Sequence, residues 1–106
     1  MAIAITNENH EKEVVKSALP VVLDIYASWC GPCQLMAPIV EQLESEMGKS
    51  YKFAKLNVDD ARDLSIKYGV ISIPTFLFIK NGRVVAKETG YMSKDVLKEK
   101  IEKNLK

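Results

Sequence analysis

Residues 21–27 constrain this chain more than any other segment, because they are short, rich in β-branched residues and, Asp24 apart, apolar on both alternating faces. A strand with one face in water alternates apolar with polar residues, so this one belongs in the middle of a sheet covered on both sides. Trp29, Cys30, Gly31, Pro32 and Cys33 follow at once. From about Pro32 to Met47, Leu35, Ile39, Leu43 and Met47 then recur at every fourth position with Met36 and Val40 beside them. That spacing predicts a long helix with a broad apolar face, stopped by Gly48. The chain's two cysteines therefore lie where a buried strand passes into a helix.

The flanking segments fit around that unit. Residues 2–5 read as a short first strand, and Thr6 or Asn7 is placed to cap a helix to about Ser17 that turns Val14, Val15 and Leu19 inward. Residues 51–58 alternate as a strand does, and Asp59 or Asp60 is placed to cap a short helix reaching Tyr68 and ended by Gly69. Asn81-Gly82 takes the positive φ angles of a tight turn, so the runs 75–79 and 83–87 predict an antiparallel hairpin. Residues 93–106 close the chain as a helix with Leu97, Ile101 and Leu105 on one face. The order β-α-β-α-β-α-β-β-α predicts an α/β fold, a mostly parallel sheet with helices on both faces and a late antiparallel hairpin. No linker, repeat or low-complexity tract interrupts the 106 residues, so one domain over 1–106 is expected.

Charge and hydropathy exclude several functions. Fifteen Lys and Arg against fourteen Asp and Glu leave a net charge of +1, without the concentrated positive field of a nucleic-acid binder. No apolar run approaches the roughly 20 residues of a membrane span. Residues 1–5 lack the basic and apolar regions of a secretory signal, so a cytoplasmic protein is expected. His10, the one histidine, reads as a solvated helix residue. It is too distant in sequence to complete a zinc site with Cys30 and Cys33 easily, and no metal is expected.

The cysteine pair carries the chemistry. Residues i and i+3 near a helix start bring their Cβ atoms to about 5–6 Å, within slight adjustment of a disulfide. The loop so closed is too small to stabilise the fold much, whereas a reversible redox pair needs only to open and close locally. The unpaired N–H groups of a helix N-terminus favour an anion, so a Cys30 thiolate is stabilised and Cys30 reads as the nucleophile. Cys33, one turn in and less exposed, reads as the resolving thiol, with Pro32 tolerated in the first turn. Two small buried hydrophobes and half of a metal site are the alternatives. Trp29, beside the reactive loop, reads as a partly exposed platform for substrate, with a core position as the alternative.

The Trp-Cys-Gly-Pro-Cys run resembles the thioredoxin family. So do Asp24 in the preceding strand, Pro38 in the helix, Lys55 in Lys-Leu-Asn-Val-Asp, Ile73-Pro74-Thr75, Lys80-Asn81-Gly82 and Gly90. The resemblance implies a central mixed five-stranded sheet flanked by four helices and a protein-disulfide reductase working through a reversible Cys30/Cys33 disulfide. It implies Gly31 and Pro32 as part of the active loop, Asp24 as proton acceptor for Cys33, and Lys55 as the charged neighbour of Asp24. A cis Ile73–Pro74 bond facing the cysteines, and a contact surface of Trp29, Val58, Ile73, Pro74, Gly90 and Tyr91, are implied likewise. A thioredoxin reductase as electron donor, client proteins with reducible disulfides, a monomeric state and no bound cofactor complete the expectation. Tyr26, Gln34 and Ser72 depart from the commonest family pattern; Gln34 bears on the Cys30 pKa, and Ser72 with Tyr91 on the range of partners. A docking subunit without redox activity, a metal-binding module and an oxidase are the rival readings.

Overall fold

The structure is a computed structural model that describes residues 2–106; Met1, part of the N-terminal reading, lies outside them. Among the described residues five strands form one sheet in the order β1-β3-β2-β4-β5. They are β1 (Ile3–Ala4), β2 (Val21–Tyr26), β3 (Lys52–Asn57), β4 (Thr75–Lys80) and β5 (Arg83–Thr89). β2 is central, parallel to β3 and antiparallel to β4, and all of its residues but Tyr26 are buried. The helices are a π-helical turn (Glu11–Val15), α1 (Gly31–Met47), α2 (Arg62–Lys67) and α3 (Lys94–Leu105). This is the mixed five-stranded sheet with four helical segments that the sequence predicts.

Alternation along β2 divides the core in two. Val21, Leu23 and Ile25 pack with Leu56, Leu77, Val14 and Leu64 on one face, whereas Val22 packs with Met36, Leu43, Phe76 and Leu97 on the other. A period of two places Asp24 and Tyr26 on the same face as Val22, under α1. Because α1 starts just past the end of β2 and runs back across this face, its first turn lies above the strand's C-terminal end.

Several local readings are corrected. The N-terminal helix is a single π-helical stretch that stops at Val15 instead of reaching Ser17. Beyond it the Ser17 hydroxyl donates to the Leu19 carbonyl at 2.7 Å, and this turn carries Leu19 outward to 38% exposure. Thr6 does cap the preceding turn, its Oγ1 accepting from the Asn9 N–H. Leu35 is 63% exposed because the buried stripe of α1 is Cys33, Met36, Val40, Leu43 and Met47, and Leu35 stands about 100° away from Met36 around the helix. Neither Asp59 nor Asp60 caps α2, whose N-cap is Ala61 without a side-chain bond. His10 is not solvated: it is buried, and its Nε2 shares a hydrogen bond with the Tyr68 hydroxyl. Burial is also the main cause that lowers its pKa, with Lys67 adding to it.

Asn81 and Gly82 form the expected hairpin turn with φ of 53° and 78°. At Gly82 a Cβ would also lie 2.9 Å from the Val15 carbonyl oxygen, so this turn rests directly on the π-helical turn. Gly82→Ala meets both the left-handed backbone and this contact, and is expected to lower stability by about 1–2 kcal/mol in urea denaturation. An unchanged midpoint would show that the hairpin is free to move off the N-terminal turn.

Candidate active site

Cys30 is the N-cap residue of α1, with the extended backbone of that position (φ −89°, ψ 114°). Its Sγ accepts from the Cys33 N–H at 3.2 Å, in the place a serine or aspartate oxygen takes at an ordinary helix start. The first-turn N–H groups have no acceptor inside the helix, and Pro32 removes one of them without loss. When the pair is reduced, the same N–H and the helix dipole favour a Cys30 thiolate over the thiol. Cys33 lies one turn on, its Cα 5.2 Å from that of Cys30, and the two sulfurs are joined as a disulfide. Exposure does not distinguish the cysteines, at 6% and 5%, contrary to the expectation of a more covered Cys33. Position does, since only Cys30 occupies the cap. Gly31 and Pro32 are exposed above them, and the Gln34 side chain donates to the Ser28 carbonyl at 2.8 Å, tying the loop to the helix.

The surface beside Cys30 comes from three loops. The Ile73–Pro74 bond is cis, and the Ile73 carbonyl oxygen lies 3.9 Å from Cys30 Sγ. A disulfide sulfur has no proton, so this is a contact now and an acceptor for a thiol only after reduction. β4 begins at Thr75, leaving Ile73 just outside the ladder, while the Pro74 carbonyl accepts from the Gly90 N–H at 2.8 Å and so sets Gly90 beside the proline. Trp29 is 69% exposed, and its indole N–H donates to Asp59 Oδ2 at 2.9 Å. Trp29, Val58 and Ile73 share one groove, and Val58 and Ile73 pack on the small cluster of Ala27, Cys30 and Cys33. Tyr91 is exposed after Gly90 and lies outside that groove.

Beneath Cys33 the same α1-side face of the sheet carries a carboxylate. Asp24 pairs in register with Lys55 on β3 and is 8% exposed. A cavity of about 630 Å³ joins Asp24, Tyr26, Lys55 and Cys33, with Glu41 and Glu44 also in its wall. Asp24 Oδ1 has no hydrogen-bond partner in the structure. Loss of water raises the Asp24 pKa to about 7, although the Lys55 ammonium acts in the opposite direction. A carboxyl group with that pKa exchanges protons readily near neutrality.

Sequence reasoning brought Cys30, Cys33, Asp24, Lys55, Trp29 and Ile73 to this region. It missed the cavity that links Asp24 to Cys33, for which the shared parity of Val22, Asp24 and Tyr26 was the available signal. It also missed Asp59, read only as a helix cap, and the groove residues Arg62, Ile66 and Ile71, whose proximity to Trp29 depends on tertiary packing.

A Cys-x-x-Cys disulfide closed across the first turn of a helix, at the end of a central strand and against a cis-proline loop, defines a thiol-disulfide oxidoreductase whose redox group is the Cys30/Cys33 couple. Comparison with known proteins gives the narrower class. The family profile described as Thioredoxin matches residues 1–103. A thioredoxin of Rickettsia bellii is 38% identical over 105 residues, covering 99% of this chain and all of that protein. Those of Bacillus subtilis and Haemophilus influenzae are 45% identical over 85 residues and 44% over 93, covering 80% and 88% of this chain and 82% and 87% of theirs. The chain belongs to the thioredoxin family.

The raised Asp24 pKa has a consequence for stability. Below about pH 4 the folded and unfolded chains both hold this proton, whereas between about pH 4 and 7 only the folded chain keeps it. Stability contributed by that proton is therefore lost as pH rises through this window and stays lost above it. Asp24→Ala in the oxidised protein is expected to raise stability by roughly 2 kcal/mol at pH 8, the ionisation penalty less the lost packing, with the gain gone by pH 4. Urea denaturation at the two pH values checks this. A variant less stable than wild type at pH 8 would contradict the buried-carboxylate assignment.

Proposed function

We propose that the chain works as a monomeric, single-domain protein of the cytoplasm, covering residues 1–106, that reduces client disulfides and is itself recharged by a thioredoxin reductase. The capping of α1 by Cys30 Sγ is the observation that carries this reading, because it gives one cysteine of the pair an anionic preference the other lacks. Cys30 thiolate attacks one sulfur of the client disulfide, a new S–S bond forms, and the other client sulfur leaves as thiolate. Cys33 thiolate then attacks Cys30 Sγ, the Cys30–Cys33 bond closes, and the second client sulfur leaves. Two electrons have passed from the dithiol to the client.

Asp24 takes the Cys33 proton through the cavity they share. Lys55, its register neighbour, restrains the Asp24 pKa that burial raises. Gly31 and Pro32 keep the approach to Cys30 low, and Trp29, Val58, Ile73, Pro74, Gly90 and Tyr91 receive the client backbone and side chains around the reacting sulfurs. Membership of the thioredoxin family supports disulfide-containing clients as the substrate class. Among the described residues no helix is long and apolar enough to cross a membrane.

Iodoacetamide at neutral pH is expected to alkylate Cys30 well before Cys33 in the reduced protein, as peptide mapping would show. Cys33→Ser should then trap a client such as insulin as a stable mixed disulfide, and Cys30→Ser should trap none. Trapping by Cys30→Ser alone would reverse the two roles, and turnover by the double variant would remove the dithiol from the mechanism.

A further inference from the structure

The cavity that Cys33 and Asp24 share is larger than a proton transfer requires. At about 630 Å³ it lies in the range of small-molecule sites, whereas one water takes up about 30 Å³. Small residues hold it open, since Ala37 lines it and Gly48, just past the end of α1, lies in its wall. A Cβ at Gly48 would meet the Glu44 carbonyl oxygen at 2.6 Å, so no side chain closes that end while the backbone keeps its position. Val40 and Tyr26 supply apolar surface, and the charged part of the wall sets Asp24, Glu41 and Glu44 against one ammonium, Lys55. Asp24 is only 8% exposed, and its Oδ1 has no hydrogen-bond partner, Lys55 included. A buried carboxyl group without a partner is destabilising, and a donor brought to it through the cavity offsets that penalty.

We propose that this cavity binds a small organic monocation, an amine or amidine on a compact apolar body, with its N–H groups on the Asp24 carboxylate and its body against Val40 and Tyr26. The site shares no residue with the groove of Trp29, Val58 and Ile73. A metal ion does not suit it, because among the described residues no group of three or more His, Cys, Asp and Glu side chains is placed to hold one. An anion would meet the carboxylates of the wall, and a neutral ligand would leave their charge uncompensated. A positive charge beside a carboxylate lowers its pKa by about one unit or more, so by linkage the ionised Asp24 binds the cation about ten-fold more tightly than the protonated form. Since burial holds that pKa at about 7, affinity rises with pH through neutrality. The other polar and charged groups around Asp24 are Lys55 on β3, Glu41, Glu44 and Cys33 on α1, and the Tyr26 hydroxyl on β2, while β4 sets Phe76 beside it. Binding calls for no free thiol, so it is independent of disulfide reduction.

Benzylamine and its neutral counterpart benzyl alcohol, titrated into the oxidised protein and followed by backbone amide NMR shifts, test this. In that form neither cysteine titrates. Benzylamine is expected to shift the amides of Asp24, Lys55 and the facing turns of α1, and to bind about ten-fold more tightly at pH 8 than at pH 5. At pH 8 it should also bind about ten-fold more tightly than benzyl alcohol. Asp24→Asn should bind benzylamine equally at the two pH values, and as weakly as wild type does at pH 5. Absent shifts, shifts confined to another surface, equal affinities for amine and alcohol, or an affinity independent of pH would each overturn the site on the wild-type protein alone. PH dependence retained in Asp24→Asn would overturn it as well. None of these outcomes bears on the oxidoreductase reading, which turns on the reduced Cys30.

Discussion

Burial of β2 on both faces governs the rest of the molecule. Once Val21, Leu23 and Ile25 lie under one core and Val22 under the other, the strand can end only where the chain leaves both cores, at the edge formed by the C-terminal ends of the parallel strands β2 and β3. The chain's turn there delivers the N-terminus of α1 to that edge, and the helix's own apolar stripe from Cys33 through Met47 fixes its rotation over the sheet. Cys30 thus reaches a helix cap and Cys33 a position above the strand's α1-side face without any dedicated scaffold. The same alternation that builds the core then decides what lies beneath Cys33, and at that position the sequence has an aspartate.

Asp24 is where folding and function pull apart. A valine there would continue the apolar face of β2, whereas the carboxyl group loses water, leaves Oδ1 without a partner and titrates near pH 7. Lys55 offsets part of this through the parallel β2–β3 register, which sets the two residues side by side. The arrangement gives a buried carboxyl group that exchanges protons near neutral pH, at the expense of stability. The cavity beside it joins Asp24 to Cys33, the space that the proposed transfer of a proton from Cys33 to Asp24 needs. Tyr26, on the same face, forms part of its wall.

Much of this was legible from residues whose signal is local. The both-faced run at 21–27 marked the central strand, Asn81-Gly82 marked the hairpin, and the Cys-Gly-Pro-Cys spacing at a helix start marked the redox pair. What failed was whatever required knowing a partner from elsewhere in the chain. His10 appeared solvated because Tyr68 is 58 positions away, and Asp59 appeared to be a cap because its partner is Trp29, 30 positions away. Leu35 fitted an every-fourth-residue pattern, but the sheet chose a neighbouring stripe of the same helix. Ile66 and Ile71 carried no signal, since exposure is decided by packing and not by residue type.

The central claim is that the cap position makes Cys30 the more acidic of two equally covered thiols. Absorbance near 240 nm, which reports thiolate, followed through a pH titration of the reduced protein and of its Cys33→Ser variant, tests it most directly. The account predicts that Cys30 ionises clearly below the ordinary cysteine value of about 8.5, with the Cys33 contribution appearing only at higher pH. Ionisation of Cys30 at or above that value would contradict it.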